Sequence, residues 1–417
     1  MNAVIIGNGI AGNSAAWAIA DASPDHKVTL LSQEPHAFYS PCALARYLSG
    51  EIPRAKVFPR LPASPAKDNL QVRLGQKVTA IDAPRKSVVL PEGSLSYDKL
   101  ILATGAVSTV PEVKGVDKDR VFRFKTLDDF EAIKQHKATK AVVIGTGPMG
   151  VEAATALRKR GLEVALVGRR ARIMPRLFDD KPAALLRTAM EAHGVEMVTG
   201  ESFREILGNH QAEAVLTDKR RIECDMVVLC VGVNPLVEVA RQAGIEMGAS
   251  GGIKTDHHMR TSVEGIYACG DCAETTDLID GQPTLSLNWT AARRQGAIAG
   301  YNSAGLLRTY PGSLSMRSID VFDLFAFAIG LGADRLSGRK FEVIERECGP
   351  NYYRLLLADG VMVGAQAVGE DQGIGMLYGF LTRKDNLAEM KEMWTKKELL
   401  GLNPWWCKAE ECTRVAP

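Results

Sequence analysis

The sequence predicts an α/β fold with two Rossmann-like dinucleotide-binding units and a small α+β domain at the C-terminus. Three observations predict it. Two short apolar runs, Ala3-Val4-Ile5-Ile6 and Ala141-Val142-Val143-Ile144, each lead straight into a turn with three glycines and then a helix-forming segment. A hairpin pattern with an Asp-Gly turn lies in the C-terminal part. Short, fully apolar strands suit a parallel sheet covered on both faces.

In the first unit the strand runs into Gly7-Asn8-Gly9-Ile10-Ala11-Gly12, and residues 13–20 read as an alanine-rich helix. Gly7 permits the tight turn, Gly9 lets the backbone approach a pyrophosphate, and Gly12 allows close helix–strand packing. The phosphate charge then sits against free amides at the helix N-terminus. Val28-Thr29-Leu30-Leu31 supplies the next strand, and Glu34 beyond it is placed to accept hydrogen bonds from a ribose.

The second unit repeats the pattern. Gly145-Thr146-Gly147-Pro148-Met149-Gly150 follows the apolar run, then a helix over residues 151–160 and a strand over 164–167. Two such units imply two dinucleotides that meet, and the economical chemistry is hydride exchange between a nicotinamide and a flavin.

Composition narrows the class. Hydrophobic residues make up 46% of the 417, enough for a large core. The 51 Lys and Arg against 49 Asp and Glu leave a net charge of +2, which argues against a nucleic-acid binder. Eight irregularly spaced Cys point to reduced thiols in a cytoplasmic protein rather than a disulfide scaffold. The stretch 321–331 is too short to span a membrane and is interrupted by Asp323, and the N-terminus has no signal-peptide pattern, so a soluble protein is expected.

Further segments extend the pattern into a family resemblance. They are Leu100-Ile101-Leu102-Ala103-Thr104-Gly105, then Cys230-Val231-Gly232-Val233-Asn234-Pro235, then Thr261 through Tyr267-Ala268-Cys269-Gly270-Asp271. At these spacings the chain resembles the FAD-dependent pyridine nucleotide-disulfide oxidoreductase superfamily, with its glutathione reductase-like fold, over most of its length. The resemblance implies an FAD-binding domain over residues 1–110 and 237–318, a NAD(P)-binding domain over 111–236 and an interface domain over 319–417. It implies FAD contacts from Gly7, Gly9, Ile10, Ala11, Gly12, Glu34, Arg46, Val78, Ala103, Thr104, Gly105, Gly270 and Asp271, the last on the ribityl chain. Nicotinamide nucleotide contacts would come from Gly145, Gly147, Pro148, Met149, Gly150, Glu152, Arg169 and Gly232.

The residues after Glu34 distinguish the branch. Dithiol reductases of this family carry two close cysteines there and a C-terminal His; this chain has Cys42 alone, and no His after His258. Cys269 and Cys272 have redox-pair spacing but fall inside the flavin motif, where small apolar fillers are expected. Cys407 and Cys412 are too few for a zinc or iron–sulfur site, so no metal is expected. The segment from Glu34 to Arg46 resembles the NADH-dependent rubredoxin and ferredoxin reductases, in which a Lys at the position of Arg46 pairs with a Glu at the position of Glu152 beside the flavin. Arg is a departure, because a planar fork does not replace an ammonium in the same geometry. Cys42 is expected to be packing or a spectator rather than redox-active, although some coenzyme A-disulfide reductases and NADH oxidases or peroxidases of the superfamily use a single Cys here. Their usual Pro-Tyr is replaced by Ala45-Arg46. Relatives specific for NADH carry an acid at the end of the second strand of the nicotinamide unit, where this chain has Gly168-Arg169-Arg170; these guanidiniums either admit a 2′-phosphate or form a solvated loop, so NAD is kept first and NADP stays open.

From about Asp320 the motifs stop. Residues 353–365 read as a hairpin around Asp359-Gly360, residues 387–400 as helical, and Trp405-Trp406 as either a tucked tail or a partner anchor. The reading that results is an FAD-dependent NAD(P)H:acceptor oxidoreductase of the electron-transfer type, with catalytic residues Arg46, Glu152 and Cys42. It resembles the FAD-containing, NADH-linked subunits of multisubunit oxidoreductases such as phenylglyoxylate dehydrogenase and tungsten aldehyde oxidoreductase. The implied partner is an iron–sulfur protein or subunit, in a hetero-oligomer or a homodimer, with no nucleic acid and no membrane. The alternatives are an NADH oxidase or coenzyme A-disulfide reductase built on Cys42, and a flavin-bearing structural subunit without catalysis.

Overall fold

The computed structural model describes residues 1–23, 25–59, 69–348, 351–369 and 374–387. The expected helical stretch beyond Leu387, the paired tryptophans, Cys407 and Cys412 lie outside the described residues. The α/β class is observed. The chain divides into two compact units, one of Met1–Ala43, Pro53–Val107 and Val233–Leu314, the other of Leu44–Ile52, Ser108–Gly232 and Ser315–Pro417.

The first unit is built on a parallel five-stranded sheet in the order Ile266–Ala268, Lys99–Leu102, Asn2–Ile6, Lys27–Leu31, Leu70–Arg73. The apolar run of Asn2–Ile6 lies at its centre and is buried, as a strand covered on both faces must be. Helix Ile10–Ala22 packs on helix Trp289–Ser303 through small residues. A Cβ on Gly296 would lie 2.1 Å from the Ala11 carbonyl oxygen, and one on Gly300 2.4 Å from that of Ala15. The two backbones therefore approach more closely than any side chain permits.

The second unit repeats this sheet in the order Val195–Thr199, Glu163–Gly168, Lys140–Ile144, Met226–Leu229, Val121–Arg123, again all parallel. Helix Leu127–Gln135 opens with a capping box between Thr126 and Asp129, which satisfies two otherwise unpaired amides. The unit also holds an antiparallel sheet in the order Met316–Val321, Leu324–Gly330, Val361–Gly369, Asn351–Ala358, Glu342–Cys348. The expected hairpin is present, with Asp359 and Gly360 at φ +50° and +78°, the two positive values a type I′ turn needs. The apolar stretch interrupted by Asp323 supplies a buried strand of this sheet. Asp179, before helix Asp180–Ala192, ties this sheet to the nucleotide fold: its N–H donates to Gln366 Oε1 (2.9 Å) and its carboxylate accepts from Arg354 Nε (2.8 Å). Among the described residues, no helix is long and apolar enough to cross a membrane.

Candidate dinucleotide sites and the Cys42 segment

Parallel register assembles the first site. Ile6 pairs with Leu102 and Leu102 with Ala268, so Gly7, Ala103 and Cys269 leave the sheet at the same end. The Ala103 N–H donates to the Ile6 carbonyl and the Cys269 N–H to that of Leu102, both at 2.9 Å. The three glycines differ in their surroundings. Gly7 has φ +119°, and a Cβ on it would lie 2.0 Å from the Ala103 oxygen; a Cβ on Gly12 would lie 1.9 Å from the Gly7 oxygen. Gly9 alone opens onto free space, with no atom within 4 Å of its would-be Cβ. No side chain caps the helix after this turn, so the amides of Ile10, Ala11 and Gly12 remain for an anion.

Glu34 stands past the end of the neighbouring strand, half-buried, and one of its oxygens accepts from Tyr39 OH at 2.7 Å. Thr104 Oγ1 donates to the Leu236 carbonyl, and the Gly105 carbonyl accepts from the Leu236 N–H. Val78 is buried in the apolar core of this unit, which leaves its main chain as the part it offers a ligand. Gly270, at φ +78°, donates its N–H to Gln295 Oε1 (2.8 Å), which fixes the turn that presents Asp271. An open phosphate cradle, a ribose acceptor and this turn at one sheet end fit FAD.

Two positioning residues have no sequence signature of their own. Asn13 Nδ2 donates to the Asn8 carbonyl, to Asn8 Oδ1 and to the Gly9 carbonyl, each at 3.0 Å, and locks the glycine turn. Gln295 is fully buried, and its Nε2 donates to Ser313 Oγ at 3.2 Å. The four-residue spacing of Gly296 and Gly300 is the available signal that this helix packs tightly, though nothing in it points to Gln295.

The second site repeats the first almost bond for bond. Gly145 has φ +114°, a Cβ on it would lie 2.3 Å from the Cys230 oxygen, and one on Gly150 1.7 Å from the Gly145 oxygen. Gly147 again opens onto free space before an uncapped helix, here with Pro148 in its first turn. Met149 lies in that turn, and Gly232, at φ +120°, accepts from the Thr109 N–H at 2.9 Å. Arg169 and Arg170 are both exposed.

The expected pair of Arg46 and Glu152 is not formed. In helix Leu44–Ser49 the buried face is Leu44, Tyr47 and Leu48, which turns Arg46 outward. Its guanidinium, 57% exposed, donates to Glu51 (3.2 Å), which also accepts from Lys159 (2.7 Å). The Lys159 hydrogen bond holds the Glu51 carboxyl below the usual range. Glu152 lies in helix Pro148–Lys159, and its facing charges are Arg317 and Asp320 of strand Met316–Val321. Burial pushes its carboxyl up to about 7, against the opposing pull of Arg317.

That shift carries a sign. Between about pH 4.5 and 7 the folded chain holds a proton on Glu152 that the unfolded chain has released, so stability falls as pH rises through this window. Glu152→Gln is expected to gain on the parent between pH 5 and 8, by up to about 3 kcal/mol. Urea unfolding at the two pH values checks it, and equal pH dependence in both proteins contradicts it.

Cys42, expected to be packing or a spectator, does not pack. It sits in a single 3₁₀ turn, Pro41–Ala43, and is exposed, so it fills no core. Its segment is anchored: Asn8 Nδ2 donates to the His36 carbonyl (3.3 Å), Phe38 stacks on Trp289, and the Ser40 N–H donates to the Val57 carbonyl (2.8 Å). Cys269 and Cys272 are buried, and Cys272 Sγ donates to the Leu102 and Cys269 carbonyls. Burial pushes both thiols up, which keeps them protonated.

Such a pair of nucleotide folds defines a class, and comparison with known proteins identifies the family. Residues 1–296 match the family described as pyridine nucleotide-disulphide oxidoreductase, and the chain belongs to it. It is 31% identical to the NADH oxidase of Methanocaldococcus jannaschii over 396 residues, covering 89% of this chain and 88% of the relative. It is 30% identical to a CoA-dependent NAD(P)H sulfur oxidoreductase of Pyrococcus furiosus, covering 92% of each. A NAD-dependent persulfide reductase from A. fulgidus superposes with a TM-score of 0.88 at 27% identity, over 93% of this chain and 78% of that one. Putidaredoxin reductase, in covalent complex with putidaredoxin, superposes with 0.85 at 25% identity, over 92% and 94%. The chain is an FAD-dependent oxidoreductase that uses NAD(P)H.

Proposed function

We propose that this oxidoreductase delivers its electrons to sulfur through Cys42, reducing the disulfide or persulfide of a small thiol. The observation that carries the reading is the exposure of Cys42 on a turn whose segment is tied to the first glycine loop. Bound FAD supplies the relay that takes a hydride from the nicotinamide and returns its electron pair. The residues of the chain do the rest. The cradle at Gly9 and the acceptor Glu34 hold one nucleotide, and the cradle at Gly147 holds the other. The Cys42 thiolate attacks one sulfur of the substrate, releases the other as a thiol and keeps the first as a mixed disulfide. Two electrons from NAD(P)H then cleave that bond and restore the thiolate. One thiol suffices because the substrate supplies the second sulfur.

The relatives' names support this reading, since they include a CoA-dependent sulfur oxidoreductase and a persulfide reductase. A second reading, transfer to an iron–sulfur carrier protein, is favoured by the likeness to putidaredoxin reductase. Trapping separates the two. Holoprotein treated with excess coenzyme A disulfide is expected to gain one adduct on the Cys42 peptide, released by NAD(P)H under argon. An adduct that forms but resists NAD(P)H sinks the sulfur reading.

A further inference from the structure

The loop that leaves strand Glu163–Gly168 and leads into helix Asp180–Ala192 lies against the second glycine turn. The Met174 N–H donates to the Thr146 carbonyl at 2.7 Å, and Thr146 stands buried between Gly145 and Gly147. A Cβ on Gly168 would lie 2.3 Å from Thr146 Cγ2, so the start of the loop is packed on the same residue. Met174 is buried and sits in the left-handed region, at φ +44°. A non-glycine residue keeps that conformation only where its surroundings enforce it. Here the Leu177 and Phe178 N–H groups both donate to the Met174 carbonyl, at 2.9 and 3.1 Å.

The far end of the loop is fixed from outside the nucleotide fold. Asp179 stands at the N-cap of helix Asp180–Ala192, where an aspartate ordinarily accepts from the amides of its own helix. Its side chain makes no such bond. One carboxylate oxygen accepts from Arg354 Nε at 2.8 Å, the other from the Ala333 N–H at 3.3 Å. Arg354 belongs to strand Asn351–Ala358, and its guanidinium also pairs with Glu345 on the neighbouring strand. Gln366, 2% exposed, accepts the Asp179 N–H. The helix thus goes without its side-chain cap while the loop is fastened to the C-terminal sheet. A second strut lies nearer the solvent. Arg172 donates to the Pro175 carbonyl (3.0 Å) within the loop, and to Asp180 (2.7 Å) and Asp334 (2.8 Å).

We infer that Arg354, acting through Asp179, and Asp334, acting through Arg172, are positioning residues for the nicotinamide nucleotide, so that the C-terminal sheet sets how tightly the second glycine cradle holds it. In this class of fold the dinucleotide lies between the glycine turn and the end of the second strand, so a loop that loosens there widens the site it borders. The connection is continuous: Arg354 on Asp179, the Phe178 amide on Met174, and the Met174 amide on Thr146. It concerns the nicotinamide fold and not Cys42, so it holds whether the electrons leave to sulfur or to a carrier protein.

Calorimetric binding of NAD⁺ and of NADP⁺ to the holoprotein tests it without turnover. Arg354→Gln is expected to bind whichever nucleotide the parent prefers about tenfold or more weakly, with FAD affinity within about threefold of the parent. Arg354→Lys is expected to recover part of the loss, because an ammonium still pairs with Asp179 but does not fork to Glu345 as well. In flavin reduction, Arg354→Gln is expected to raise the half-saturating NAD(P)H concentration about tenfold while the limiting rate falls less than about threefold. Asp334→Ala changes an exposed side chain and is expected to weaken nucleotide binding about threefold. Parent-like nucleotide affinity in a folded Arg354→Gln overturns the inference, as does a loss shared equally by FAD and nucleotide. Where thermal unfolding shows that Arg354→Gln does not fold, Asp334→Ala decides, and parent-like affinity in it overturns the inference.

Discussion

Cys42→Ser is expected to lower NAD(P)H-dependent reduction of a small-molecule disulfide at least a hundredfold, while NAD(P)H-to-viologen activity stays within about threefold. The first figure is a loss of about 2.7 kcal/mol or more of transition-state stabilisation, and the second is under about 1 kcal/mol. The asymmetry comes from chemistry. A serine hydroxyl does not form the mixed disulfide, so the sulfur step loses its nucleophile outright. Viologen takes electrons without any thiol. The substitution touches an exposed side chain, so stability is expected to change little. Parallel losses in both assays would place Cys42 in flavin binding rather than in sulfur chemistry.

Gly9→Ala is expected to weaken FAD binding about a hundredfold, near 2.7 kcal/mol, in a chain that still folds. The new methyl enters open space as far as the protein is concerned, and it stands where the phosphates approach. Gly147→Ala has the mirror outcome: the protein stays yellow, but its nicotinamide nucleotide binds about a hundredfold more weakly. Gly12→Ala differs in kind, because its methyl would meet the Gly7 carbonyl oxygen at 1.9 Å and disturb the fold itself. Flavin content, nucleotide titration and thermal unfolding distinguish the three, and full FAD retention by Gly9→Ala contradicts the cradle.

Much of this architecture is legible in the sequence, and the reasons are local. Strand, glycine turn and helix are consecutive, so their chemistry is written within a dozen residues, and the division of labour among Gly7, Gly9 and Gly12 can be read before any coordinate. Asp359-Gly360 is legible for the same reason, since a two-residue turn with positive φ leaves few choices. Features that depend on side-chain direction are not legible. The segment from Glu34 to Arg46 resembles one that places a cation beside the flavin, but one helical turn with Leu44, Tyr47 and Leu48 inward sends Arg46 to Glu51. Glu152 instead faces Arg317, more than a hundred and fifty residues away in the chain, and no spacing rule links them. Gln295 is hidden for the same reason, since it acts through bonds to the Gly270 amide and to Ser313 that the fold brings together.

The sulfur reading stands on the number of electrons the protein stores. Holoprotein carrying a mixed disulfide on Cys42, freed of excess disulfide and titrated with NAD(P)H under argon, is expected to consume two equivalents before the flavin stays bleached, one for the flavin and one for the sulfur bond. Cys42→Ser, treated alike, is expected to consume one. A single equivalent in both proteins, with the adduct still on Cys42, would contradict the account.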